Sequence, residues 1–209
     1  MTLRSLSVLG DAGAGKKTLV GCLIFIVLFI IFLIGSCYAN SQWCGLGLPQ
    51  LEELERKGIQ YGDIVTFFEK RGQPLCFHAP SGLFEVEKSQ MPDVAIWVVD
   101  GSDLLTWAAS ATKLAALLSS GELLPRERLV IAINKMDSVS WSEKIFKDAV
   151  HVFSVLNLNY RTSFIPVSAS KGQNVLPDSK ETSWAASLSP QRFGGSEVVS
   201  SDCLMSLLA

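Results

Sequence analysis

The sequence predicts an α/β fold, a mostly parallel sheet with helices on both faces, and three observations carry that expectation. Two uninterrupted apolar runs, 94–99 (VAIWVV) and 129–133 (LVIAI), have the length of strands buried on both faces. Helical patterns stand between such runs, and this alternation is the mark of a parallel sheet covered by helices. The first apolar run, 3–9 (LRSLSVL), ends in a glycine-rich stretch that reads as a tight turn opening into a helix. Ligands of such sheets sit outside the carboxyl ends of the strands, where the loops open.

Taken in order, the strand over 3–9 and the turn are followed by an apolar, uncharged segment over 19–42. A short helical pattern follows at 51–56 (LEELER), then two strand patterns at 64–68 (IVTFF) and 75–77 (LCF). Between the run 129–133 and a shorter one at 164–167 (FIPV), residues Trp141, Ile145, Ala149, Val152 and Leu156 recur every three or four positions. That spacing predicts a helix with one apolar face. Residues 1–176 therefore read as one domain, interrupted by an apolar insert at 25–42. Residues 177–209 read as a serine-rich tail, with 203–208 (CLMSLL) as its one helical candidate.

Composition narrows the function. The 209 residues are 48% hydrophobic and 18% charged, with a formal net charge of −2, enough apolar material for a sizeable core and no basic field for duplex DNA. Direct DNA binding is not expected. Five cysteines, Cys22, Cys37, Cys44, Cys76 and Cys203, form no Cys-x-x-Cys pair and point to reduced thiols in a reducing compartment. With two histidines, His78 and His151, neither a zinc site nor a histidine-driven triad is expected, and His151 falls within the helical pattern.

Three loop motifs carry the chemistry. Gly10, Asp11, Ala12, Gly13, Ala14, Gly15, Lys16, Lys17 and Thr18 match a phosphate-binding loop, in which successive backbone N–H groups and a helix N-terminus surround a phosphate and the lysine offsets its charge. Asn134, Lys135 and Asp137 follow the buried run 129–133. A carboxylate at Asp137 accepts from both the ring N1–H and the exocyclic amine of guanine, a pair of donors that adenine lacks on that edge. Asn134 can tie this loop to the phosphate loop, and the stem of Lys135 can lie along the base. Ser168, Ala169 and Ser170 follow the next strand and can offer a backbone N–H to the guanine oxygen. Each motif alone is also an ordinary turn or helix cap; three in order, each behind a strand, are not.

Four stretches, SVLGDAGAGKKTLVGCLI, CGLGLPQLEELE, RLVIAINKMDSVSWSEKIFKDAV and FIPVSASKGQNVL, resemble the GTP-binding domain of translational GTPases, in the elongation factor one-alpha and release-factor-three-like branch. They make up about a third of the chain. The resemblance implies a Ras-like P-loop domain that binds GTP or GDP with Mg²⁺, acts with the ribosome or translation factors in the cytoplasm, and is followed by two β-barrels. The sequence stops where those barrels would begin.

Departures from the family pattern concern the metal and the γ-phosphate. The family places Ser or Thr after the loop lysine as a Mg²⁺ ligand; here Lys17 stands there, and its ammonium repels the ion. The family's Asp-Ala-Pro-Gly-His, which reaches the metal, senses the γ-phosphate and places the attacking water, corresponds to a run from His78 to Gly82. Its functional positions are held by His78, Ser81 and Gly82. The switch threonine corresponds to Gln60. The expectation is guanine-nucleotide binding with weakened Mg²⁺ affinity and impaired hydrolysis, with no metal ligand and no catalytic residue assigned. The alternatives are a working GTPase with non-standard metal chemistry, and a membrane-anchored protein with a single span.

The apolar segment bears on the last alternative. Residues 19–39 would be about 32 Å long as a helix at ~1.5 Å per residue, enough to cross a bilayer. A span or a cleaved signal peptide would each separate the phosphate loop from Asn134 and Asp137, so neither is compatible with one nucleotide site. A third reading treats 25–42 as a translated intron. Its Phe, Ile, Leu and Val codons share a central U, as a polypyrimidine tract would, and Tyr-Ala-Asn-Ser-Gln at 38–42 can be encoded by a branch-point-like CTAAC ahead of a terminal CAG.

Overall fold

The run 94–99 lacks polar side chains because both of its faces are covered. In the computed structural model it forms β4 (Val94–Asp100), whose Val94, Ile96 and Val98 enter one apolar layer while Ala95, Trp97 and Val99 enter the other. The structure describes residues 3–33, 56, 58, 60–156, 160–175, 192–193, 196–197 and 203–208, and of 26–33, 192–193 and 196–197 only the backbone.

Six strands form one sheet in the order β2-β3-β1-β4-β5-β6. The strands β1 (Leu3–Gly10), β3 (Gly82–Val86), β4, β5 (Arg128–Asn134) and β6 (Thr162–Pro166) run parallel, and β2 (Leu75–Ala79) closes the edge antiparallel to β3. The first layer is covered by α1 (Lys16–Leu33), α2 (Tyr61–Lys70) and the terminal turn α5 (Leu204–Leu207); the second by α3 (Trp107–Ser119) and α4 (Glu143–Ser154). This is the predicted sheet with helices on both faces. Register sets which loops meet: Gly10 pairs with Val98, and Asp100 with Asn134, so the turns after β1, β4 and β5 open at one edge.

Several local expectations change. Residues 64–68 are helix, not strand. Their β-branched and aromatic side chains suit either state, but Ile64, Val65 and Phe68 are buried together on one side of α2, packed into the layer that α1 occupies. The N–H of Gln60 donates to the Asp63 carboxylate at 3.3 Å, holding the start of the helix. In α4 the buried side is Phe146, Ala149, Val150 and Phe153. The predicted stripe shares only Ala149 with it: Ile145 and Val152 lie at its margin, and Trp141 and Leu156 lie outside the helix, partly buried. His151 is on α4 and exposed. The pattern at 51–56 lies outside the described residues except for Arg56.

The apolar run also divides. Leu19, Val20, Cys22, Leu23 and Ile24 are buried in the first layer, and Phe25 meets the Tyr61 ring at 5.6 Å. The beginning of the supposed span is thus core, and among the described residues no helix is long and apolar enough to cross a membrane. The single-pass alternative through 19–39 therefore finds no support. Burial pushes the Cys22 thiol up to about 12, so it is inert as a nucleophile. Cys203 is a free thiol as well; Cys37 and Cys44 lie outside the described residues.

At the chain's other end, Leu204 and Leu208 are fully buried, and the N–H groups of Leu204 and Met205 donate to the carbonyls of Asn174 and Val175 at 3.0 Å each. The last residues of the serine-rich segment are therefore part of the core. Leu204→Ala is expected to cost about 2–5 kcal/mol, as large-to-small changes in a closed core do. Denaturant unfolding checks this, and a loss below about 1 kcal/mol would mean that the segment only rests on the surface.

Candidate functional site

A glycine is required where β1 ends. A Cβ on Gly10 would lie 2.3 Å from the Val98 carbonyl oxygen of the neighbouring strand, and φ there is +137°. The loop closes the same way: Gly15 has φ +95°, and a Cβ would lie 2.3 Å from Nδ2 of Asn134. Between them Asp11, Ala12, Gly13 and Ala14 form a turn that runs into the first residues of α1, Lys16, Lys17 and Thr18. Lys16 folds back across it, its Nζ donating to the carbonyls of Gly10 at 2.9 Å and Asp11 at 2.5 Å. Burial and the nearby Lys113 charge lower its pKa, against the opposing pull of Asp11.

Asn134 joins the three predicted motifs. Buried at the end of β5, it donates from Nδ2 to the Ala14 carbonyl at 2.8 Å and accepts at Oδ1 from the Ala169 N–H at 2.9 Å. The Ala169 N–H is thereby engaged by Asn134. Ser168 forms a reciprocal backbone pair with Gln173, 3.1 Å each way, and its hydroxyl lies 3.3 Å from that of Ser170. This makes 168–173 a rigid turn held against the phosphate loop.

Lys135 takes a left-handed conformation, φ +62°, and its Nζ donates to Asp100 Oδ2 at 2.5 Å. Burial raises the Asp100 pKa, but the bonds from Lys135 and Ser102 outweigh it and hold the carboxyl below its ordinary value. Asp137 differs from every other acid here. Its Oδ1 is buried without a hydrogen-bond partner, and Oδ2 has only Lys171 at 3.9 Å. A carboxylate oxygen withdrawn from water and left unpaired costs free energy unless a donor arrives. It does not cap the 3₁₀ turn Met136–Val139 in which it lies.

The residues predicted to meet metal and γ-phosphate are elsewhere. His78 is the penultimate residue of β2, Gly82 begins β3, and Ser81 is in the hairpin turn between the two strands. Because Leu3 pairs with Leu83, this hairpin lies at the amino edge of the sheet, about 20 Å along β1 from the phosphate loop at ~3.3 Å per residue. Ser81 instead accepts from Arg4 and donates to the Leu208 carbonyl. Lys17 points to α2, with Nζ 2.8 Å from Glu69 Oε2, and Thr18 lies beside Gly62. Gln60 precedes α2. An oxygen-loving divalent ion gains no ligand from Lys17, whose ammonium is paired with Glu69.

Sequence reasoning missed two participants. Asp100 was legible, since it ends a buried strand at the carboxyl edge. Lys113, on α3, reaches Asp11 at 3.1 Å, and no spacing rule pointed to it. Asn134→Ala removes both bridging bonds from a buried position; it is expected to cost about 1–3 kcal/mol per stranded partner. Denaturant unfolding would register this, and an unchanged midpoint would mean that the loops hold one another by other contacts.

No family model matches the chain. It is 32% identical to elongation factor 1-alpha of Methanocaldococcus jannaschii over 204 residues, 84% of this chain and 45% of that protein. It is 25% identical to the bifunctional enzyme CysN/CysC of Mycobacterium tuberculosis over 207 residues, 88% of this chain and 32% of the enzyme. The chain thus spans less than half the length of these relatives. Among solved structures, the GTPase-like domain of S. cerevisiae Ski7 bound to GTP superposes with a TM-score of 0.58 at 18% identity, covering 87% of this chain and 46% of that one. Sup35 complexed with GDP gives 0.57 at 21%, covering 99% and 44%. These structural likenesses establish the shared fold.

Proposed function

Starting from the chain's kinship with the elongation-factor-1-alpha-like translational GTPases, which extends over their GTP-binding domain, we propose that it binds guanine nucleotides, GDP and GTP, and hydrolyses GTP poorly. The observation that carries this reading is Asp137, a half-buried carboxylate with one buried, unpaired oxygen, on a loop that Asn134 fastens to the glycine-rich turn after β1. Guanine supplies two N–H donors to such a carboxylate. Gly10 to Thr18 would hold the phosphates and Lys16 their charge; of Ser168, Ala169 and Ser170, the first two are buried with their N–H groups already engaged, which leaves Ser170 to face the base, with Lys135 alongside it.

Placement supports the reading of impaired hydrolysis. Lys17 stands where a metal-binding hydroxyl is needed, and His78, Ser81 and Gly82 are at the opposite edge of the sheet. No step that positions water at a γ-phosphate can be routed through them. The relatives carry names of two different activities, elongation and the CysN/CysC enzyme, so the stretch they share with this chain is not what distinguishes them. Association with the ribosome or a translation factor, and a cytoplasmic setting, belong to the translational side of that kinship.

Competition against labelled GDP tests the reading. GDP and GTP are expected to displace the label and ADP is not, with little change on adding Mg²⁺ and turnover near the detection limit. Asp137→Asn should weaken GDP about tenfold to a hundredfold and shift preference toward xanthine, since a mismatched buried hydrogen bond costs ~1–3 kcal/mol. Equal displacement by ADP would overturn the assignment of Asp137, and brisk Mg²⁺-dependent phosphate release would overturn the reading of Lys17.

We also read residues 25–42 as foreign to the domain, with the helical start of the run retained as core through Ile24. A chain joining Ile24 to Trp43 is expected to be more soluble than the 209-residue protein and to bind GDP at least as well, because a long apolar run left uncovered forfeits ~25 cal/mol per Å². Sequencing the messenger across these codons, with solubility of both proteins side by side, decides it. Equal solubility and binding would give the segment a structural place.

A further inference from the structure

Asp11 is the one acidic residue of the phosphate loop, and two lysines converge on it. Lys16 Nζ donates to its carbonyl at 2.5 Å, while Lys113 Nζ, from α3, lies 3.1 Å from its Oδ1. The two ammonium groups are therefore held by the same residue, at the turn that would receive phosphate. Their mutual repulsion contributes to the lowered pKa of Lys16. Lys17, the other cation nearby, is committed to Glu69. The Ser110 hydroxyl, buried on the same helix as Lys113, accepts from Trp97 Nε1 at 3.0 Å. Burial raises the Asp11 pKa, but Ser110 and the lysines outweigh it and keep the carboxyl ionised.

We infer that Lys113 is a second phosphate-binding cation, parked on Asp11 and exchanged onto the phosphates of a bound nucleotide. The inference rests on the nucleotide reading above. A nucleoside diphosphate brings more negative charge than Lys16 alone offsets, and Lys17 offers no metal ligand to supply the rest. The Lys113 side chain is 56% exposed on a flexible stem, so it can leave Asp11 without opening the core. Asp11 itself then sits as a like charge beside the phosphates and opposes them.

These roles predict opposite effects from the two partners, which a pair that merely braces the loop would not give. Titrations of the full chain with GDP, guanosine and inorganic pyrophosphate separate the cases. Lys113→Met is expected to weaken GDP and pyrophosphate about three- to tenfold and to leave guanosine unchanged, with Lys113→Arg restoring most of the loss. Asp11→Asn is expected to tighten GDP and pyrophosphate. Weaker GDP binding in both Lys113→Met and Asp11→Asn, or a guanosine loss equal to the GDP loss, would overturn the exchange. Lys113-dependent pyrophosphate binding with no preference for GDP over ADP would sustain it and overturn the guanine assignment instead.

Discussion

The site depends on one buried amide. Asn134 spends its donor on the Ala14 carbonyl and its acceptor on the Ala169 N–H, so three loops that follow three different strands share a single side chain. No other residue type serves: a carboxylate has no donor for Ala14, and an apolar side chain would strand both partners away from water. Gly15 is bound by the same constraint, because any Cβ there would collide with the amide nitrogen. Phosphate loop, base loop and the turn at 168–173 are thus one rigid unit, and the unpaired oxygen of Asp137 is held within it.

The sheet register then separates what the domain keeps from what it lacks. At the carboxyl edge stand Gly10, Asp100 and Asn134; at the amino edge stand Arg4, the β2–β3 hairpin and Leu208. After β3 the chain turns back: the Glu87 N–H donates to the Leu6 carbonyl, and the Ser5 N–H donates to the Asp93 carboxylate at 2.7 Å, before β4 starts beside Leu6. The segment that would have to carry water-positioning groups to the phosphates never reaches that edge. The loops that follow β5 and β6, by contrast, open at the same edge as the turn after β1.

Much of this was legible because strands buried on both faces advertise themselves. Residues 94–99 and 129–133 have no polar position to disguise, and motifs placed directly behind them inherit their location. The stretch 64–68 was illegible for the opposite reason: Ile, Val, Thr and Phe fit a strand, and the helix exists only because α1 offers a surface to Ile64, Val65 and Phe68. The His78–Gly82 run was aligned by its letters, yet its position is decided by pairing with β1, which spacing along the chain does not encode. Burial of Leu204 and Leu208 likewise requires knowing that the first layer has room near Val175. Lys113 is invisible in sequence, since a lone lysine on an amphipathic helix is ordinarily a solvated one.

Charge at the phosphate loop follows from these placements. In a metal-dependent loop, a hydroxyl after the lysine brings in an ion, and the ion supplies the second positive charge. Here the residue after Lys16 is itself cationic, but it lies on the outer side of α1, where it meets Glu69 at 2.8 Å with both side chains about half exposed. Its charge is spent on joining α1 to α2. The remaining cation within reach is on α3, which rises from the opposite face of the sheet, and it arrives at the loop through Asp11. The two helical layers therefore meet outside the sheet at the turn between β1 and α1. That convergence explains why an acidic residue is tolerated in a loop built for anions: Asp11 holds the second cation where a phosphate would need it.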